Sequence, residues 1–130
     1  MLGRIPMFTR RLFASSSPSG LLFTFVHEHP SVPIILVVDA PQSAPGYSTT
    51  PFGRLYSSLL DPAPTAAIVD GIGVFGPADP QMLTALDGTW TRMFTFPPQA
   101  QSWVAQIVSY DQAYAYPATY GLSNAAEFTH

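Results

Sequence analysis

Two histidines one residue apart, His27-Glu28-His29, are the first residues here whose types and spacing suit chemistry. On an extended strand, residues i and i+2 point to one side, so both imidazoles could reach one ion, as metal-binding His-x-His pairs do. Two ligands do not make a site. The remaining histidine is His130, and a third donor such as Asp39 has no assigned place. A polar strand end meeting solvent accounts for the trio with fewer assumptions. The sequence reading therefore assigns no metal and no cofactor, with His27 and His29 as the residues a metal would need.

Other groups give weaker signals. Asp61, Asp70, Asp79 and Asp87 each precede Gly or Pro, where Asp serves turn geometry, and Asp111 ends an apolar run. Paired carboxylates could act as acid and base or hold calcium, but turn duty is the simpler reading. Gly71-Ile72-Gly73-Val74-Phe75-Gly76 fits G-x-G-x-x-G. A dinucleotide fingerprint needs the third Gly inside a helix, and Pro77 and Pro80 follow at once, so a glycine-rich turn is expected. No Ser sits in a G-x-S-x-G elbow, which leaves no nucleophile to nominate. Tyr114, Tyr116 and Tyr120, in a Pro-flanked stretch, could stack on a sugar or meet another protein, although loop packing is the commoner use of such residues.

The elements that must position these residues read as short strands. Leu21, Phe23, Phe25 and His27 alternate with Leu22, Thr24, Val26 and Glu28. Val32 to Asp39 is apolar on both faces, as in a strand covered on both sides. Residues 40–51 read as a loop, 52–60 as a weaker strand, and 65–69 as a short strand with a possible continuation at 72–75. Residues 76–88 hold the one plausible helical turn, capped by Asp79. Gly88 to Tyr116 is the richest stretch. It carries Trp90 and Trp103 and reads as two long strands joined through Pro97-Pro98 into a central hairpin. Leu122 to Thr129 closes the chain as a last strand. The expected fold is all-β: a single antiparallel β-sandwich of about seven strands, immunoglobulin-like or jelly-roll-like, spanning 20–130. Residues 1–19 are expected to be an extended N-terminal arm or a leader.

Composition narrows the function. The chain has 130 residues, 47% hydrophobic and 10% charged, with fourteen prolines and no cysteine or lysine. That suits one ordered domain and excludes a disulfide framework or thiol chemistry. Arg4, Arg10 and Arg11 make the first eleven residues basic, while two arginines and eight acids give the remainder −6. An acidic body does not attract nucleic acid. A basic start could dock on a neighbouring copy, which makes Arg10 and Arg11 candidate interface residues. No run approaches the ~20 apolar residues of a membrane span.

The order of pieces resembles a known kind of module. An apolar strand ends in Asp39-Ala40-Pro41, followed by a Gly/Ser/Pro loop, Phe52-Gly53-Arg54-Leu55 and Leu60-Asp61-Pro62-Ala63. A Thr/Phe strand ends in Pro97-Pro98, and the chain closes with Leu122-Ser123-Asn124-Ala125-Ala126-Glu127-Phe128-Thr129. Over roughly residues 20–129 this is similar to β-sandwich modules of secreted and surface proteins of planctomycetes and myxobacteria. The resemblance implies an extracellular or cell-surface domain that is not an enzyme. Those proteins begin with a clear secretion signal, and here the start is a basic, Ser-rich leader. The expected function is therefore structural or adhesive, with self-association through the N-terminal arm. A virion structural or decoration protein and a carbohydrate-binding module that takes polysaccharide are the alternatives.

Overall fold

Period-two alternation sorts the apolar side chains onto two facing surfaces. In the computed structural model, which describes residues 10–39, 48–51, 53–56, 67–95, 102–116 and 118–130, these surfaces belong to two antiparallel sheets. The first joins β1 (Arg11–Ser17), β2 (Gly20–Val26) and β7 (Thr89–Phe94) in the order β1-β2-β7. The second runs β10-β8-β3-β6, where β3 is Ile34–Asp39, β6 is Ala67–Asp70, β8 is Ser102–Tyr110 and β10 is Ala126–Thr129. β9 (Tyr120–Leu122) also pairs with β8. A small hairpin of β4 (Ser48–Thr50) and β5 (Gly53–Leu55) completes the strands. Among the described residues there is no helix, and the all-β expectation holds.

The core lies between the sheets. Leu12, Leu21, Phe23, Phe25 and Trp90 meet Ile34, Leu36, Val38, Trp103, Ala105 and Ile107 there, all buried. Phe23 meets Phe128 of the opposite sheet edge to face at 5.9 Å, a favoured aromatic geometry. The side chain of Asn124 closes one flank. Its amide donates to the Leu12 carbonyl (3.0 Å) and its oxygen accepts the Leu12 N–H (2.8 Å), imitating a strand partner for β1.

β3 is buried on both faces, as its sequence demands. Its outward residues Ile35 and Val37 are buried along with Val104 and Gln106 of β8, and β5 supplies part of the cover. Gln106, in the middle of this apolar surface, holds the β5 segment. Its oxygen accepts the Tyr56 N–H at 2.9 Å, and its nitrogen donates to the carbonyls of Arg54 (2.8 Å) and Ser123 (2.9 Å).

Several expectations are corrected. The stretch assigned to the N-terminal arm becomes, from Arg11 on, a full strand in register with β2, Leu12 opposite Phe25 and Ala14 opposite Phe23. Its outward serines disguise it as a linker. Residues 1–9 lie outside the described residues, as do most of 40–51 and 57–66. The central hairpin is not one. β7 pairs with β2 and β8 pairs with β3, so the two strands lie in different sheets. The link at Pro97-Pro98 also falls outside the described residues. The closing strand divides in two, because Ser123 takes the Ile107 N–H on its hydroxyl (2.9 Å) before β10 begins.

The glycine-rich loop forms a turn. Its inward N–H groups are already occupied by Asp70, whose carboxylate accepts from Ile72 and Gly73 at 2.8 Å and from Phe75 at 2.6 Å. Burial alone would raise the Asp70 pKa, but the N–H groups of Phe75, Gly73, Ile72 and Val74 outweigh it and hold the carboxyl below its ordinary value. A carboxyl whose pKa is depressed by folding stabilises the fold above its unfolded pKa, and that contribution disappears as pH falls through the folded value. Asp70→Asn is therefore expected to lose about 1–2 kcal/mol at pH 7. Its stability should converge with the parent's as the pH drops below about 4. Urea unfolding across pH 7 to 2.5 checks this, and a constant gap at all pH would refute it.

Candidate functional site

Three chain segments converge at one end of the sandwich. β2 runs out into His27, Glu28 and His29; β8 runs out into Asp111 and the turn to Tyr114; Arg10 stands just before β1. In a chain with so few charges, this gathers two histidines, two carboxylates and an arginine.

The backbone holds each piece firmly. His27 continues the β2 pairing, its N–H donating to the Gly88 carbonyl at 2.9 Å. The turn after His29 passes through Ser31 with φ at 55°, a left-handed conformation that costs a non-glycine residue about 1–2 kcal/mol. Thr84 clamps it. The Thr84 hydroxyl donates to the His29 carbonyl and accepts the Val32 N–H, both at 2.9 Å, while its own carbonyl takes the Ser31 N–H. On the other side, the Asp111 N–H reaches the Thr119 carbonyl at 2.7 Å, which closes the loop from Asp111 to Thr119.

The two carboxylates have different company. Glu28 takes two nitrogens of Arg10 at 3.3 and 3.2 Å and the Tyr114 hydroxyl at 2.8 Å. Burial opposes its charge, but hydrogen bonds from Arg10, its own backbone and Tyr114, with His27 nearby, hold its pKa down at about 2. Burial and Glu28 together push the Tyr114 hydroxyl up. Gly121 lets this happen, since a Cβ there would collide with the Arg10 guanidinium. Asp111 divides its oxygens. Oδ1 accepts the Ala113 N–H at 3.0 Å, and Oδ2 faces the histidines, 2.5 Å from His29 Nδ1 and 3.7 Å from His27 Nε2.

His27 is the buried member, 2% exposed. Its Nδ1 accepts the His29 N–H at 3.0 Å, so in the neutral ring the hydrogen sits on Nε2. Burial lowers its pKa; Arg10 and His29 act the same way, against Glu28 and Asp111. Among the described residues Nε2 has no hydrogen-bond partner. His29 is more open, with 38% of its side chain exposed.

Of the residues singled out from sequence, the fold unites His27, His29, Tyr114 and Arg10. Asp39 is buried at the end of β3 and is not part of the cluster. Asp111 takes the place considered for it, a residue whose position beside His29 depends on the pairing of two sheets. Tyr114 is no open platform: its ring lies against His29 (5.5 Å) and under Arg10 (5.4 Å). Tyr116 is 70% exposed, and Tyr120 packs on Tyr110 at 5.0 Å. Arg11 lies apart from the cluster, its guanidinium over the Phe13 ring on the outer face of the first sheet.

A histidine on a buried carboxylate could serve as a general base. Among the described residues, however, the His29 ring is hydrogen-bonded to Asp111 and to no hydroxyl group. Comparison of the chain with protein-family models, with curated proteins and with solved structures finds no match. Among the described residues no helix is long and apolar enough to cross a membrane.

Proposed function

We propose that this chain is a non-enzymatic structural or adhesive module that associates with copies of itself in an extracellular or cell-surface assembly. The observation that carries this reading is the outer face of the β1-β2-β7 sheet. Register sets Phe13 beside Thr24 and Thr91, and Ser15 beside Leu22 and Met93. Phe13 and Met93 are each 53% exposed, and among the described residues Arg11 is the one charged residue on this face. A flat face of this composition gains by being covered. This reading puts the contact on the sheet face rather than on the N-terminal arm.

The size of the face sets the strength. Seven residues along β1 and three strands across span about 23 by 14 Å, a footprint of roughly 300 Å². Counted on both partners that is below the roughly 1,200–2,000 Å² of stable specific interfaces, so one contact should be weak and repeated contacts in an assembly should add up. Sedimentation over a concentration series is expected to show reversible association up to about millimolar protein. Phe13→Asp with Met93→Asp should abolish it without lowering the melting temperature. A parent protein that stays monomeric throughout would remove the proposal. The polysaccharide alternative would be favoured instead by retention on insoluble glycan that is lost on Tyr116→Ala.

A further inference from the structure

We infer that His27, His29 and Asp111 form a binding site for one divalent transition-metal ion, with zinc preferred. Each offers one donor atom, and the three atoms lie within 4.8 Å of one another. Bonds of about 2.0–2.2 Å in tetrahedral geometry set ligand atoms roughly 3.3 Å apart. His27 Nε2 and Asp111 Oδ2, at 3.7 Å, already nearly satisfy that spacing. His29 Nδ1, at 2.5 Å from the same oxygen, must retreat by less than about 1 Å. It belongs to the half-exposed ring, the one with room to move.

The second, independent observation is His27 Nε2 itself. It is buried, has no hydrogen-bond partner among the described residues and lies 3.7 Å from Asp111 Oδ2. Buried polar atoms are nearly always partnered, and an exception asks for a reason such as an ion. The surroundings supply what a ligating imidazole needs behind it. Glu28 Oε1 stands 3.5 Å from His27 Nδ1, and the other carboxylate oxygen accepts from Arg10 and Tyr114. A carboxylate at the far ring nitrogen fixes the tautomer and strengthens the donor. Asp111 Oδ1 is occupied by the Ala113 N–H, which leaves Oδ2 for the ion.

Binding requires each ring to keep one hydrogen, moved to the nitrogen away from the metal. In His27 it passes from Nε2 to Nδ1, which exchanges the His29 N–H for Glu28. In His29 it passes from Nδ1 to Nε2. Two imidazoles and one carboxylate favour zinc over calcium or magnesium, which take oxygen ligands. An open groove of about 580 Å³, lined by Pro30, Ser31 and Gln112 among others, adjoins Asp111.

The test uses the untagged full chain, stripped with chelator and titrated with zinc chloride by calorimetry, with calcium and magnesium chloride in parallel. One equivalent of zinc should bind, and neither other ion should. His29→Ala should weaken zinc at least tenfold while the folded spectrum stays unchanged, and Asp111→Asn should do the same. Two-bond proton–nitrogen spectra of the imidazoles read the parent directly, without relying on a variant. Zinc should convert His27 from the Nε2–H to the Nδ1–H form. No saturable binding, equal affinity in His29→Ala, or a tautomer at His27 that ignores zinc would each overturn the site.

Discussion

Gln106→Met is expected to destabilise the protein by about 3–4 kcal/mol, although methionine matches glutamine in length and suits an apolar surface better. The cost lies in the partners. Gln106 is 1% exposed and serves the Tyr56 N–H and the carbonyls of Arg54 and Ser123. Methionine removes all three hydrogen bonds, and each bond lost to a buried or part-buried group costs about 1–3 kcal/mol. Detachment of the β5 segment would let water reach Tyr56 and Arg54, which keeps the total below the sum. Hydrogen exchange distinguishes the mechanism from general loosening. Exchange at the Tyr56 amide should rise far more than at Leu36 or Ile107 in the neighbouring strands. A variant within 1 kcal/mol of the parent would mean that apolar contact of Leu55 alone holds the segment.

That hairpin shows what the sequence could reveal. An apolar run such as Val32 to Asp39 must be covered on both faces, and it is. What covers it was not legible, because Gln106 looks like any polar residue on an exposed strand face until its three partners are known. The same limit hid β1. A strand alternating Leu12 and Ala14 with serines at 15 to 17 carries little apolar signal, and its assignment rests on pairing with β2. Trp90 and Trp103 marked the richest stretch of the sequence without declaring their place, and both are buried. Alternation gives the inward face of a strand but says nothing of which sheet receives it, so β7 and β8 read as one hairpin while they lie in different sheets.

The cluster at the sandwich end follows the same pattern. His27 and His29 were visible because their spacing is local. Asp111 was not, since it stands 82 residues from His29 and reaches it through the stacking of two sheets. Its neighbour Glu28, hidden in plain view between the histidines, faces away from Asp111 toward Arg10 and Tyr114. A signal did exist in the scarcity of charge. In a chain that is 10% charged, an acid at the end of an apolar strand has few alternatives to a specific partner.

Gly88→Ala should be as damaging as any single methyl in this protein, and it reaches the cluster through the backbone. Gly88 has φ at 83°, where a Cβ costs about 1–2 kcal/mol by itself. That Cβ would also strike the His27 carbonyl oxygen, a backbone atom that cannot rotate away. Overpacking of this kind adds about 1–3 kcal/mol, for a total near 3–4 kcal/mol and a fall of roughly 10–15 °C in melting temperature. Relief by moving His27 would break its N–H bond to Gly88 and displace the imidazole, so zinc binding should weaken along with stability. Gly76→Ala is the matched control. Among the described residues no atom of a non-neighbouring residue lies within 4 Å of a Cβ at Gly76, and its φ is not in the left-handed region. Alanine there should be neutral or stabilise by about 0.4–1 kcal/mol through the unfolded chain. Equal losses at both glycines would show that the close approach of Gly88 to His27 does not carry the effect.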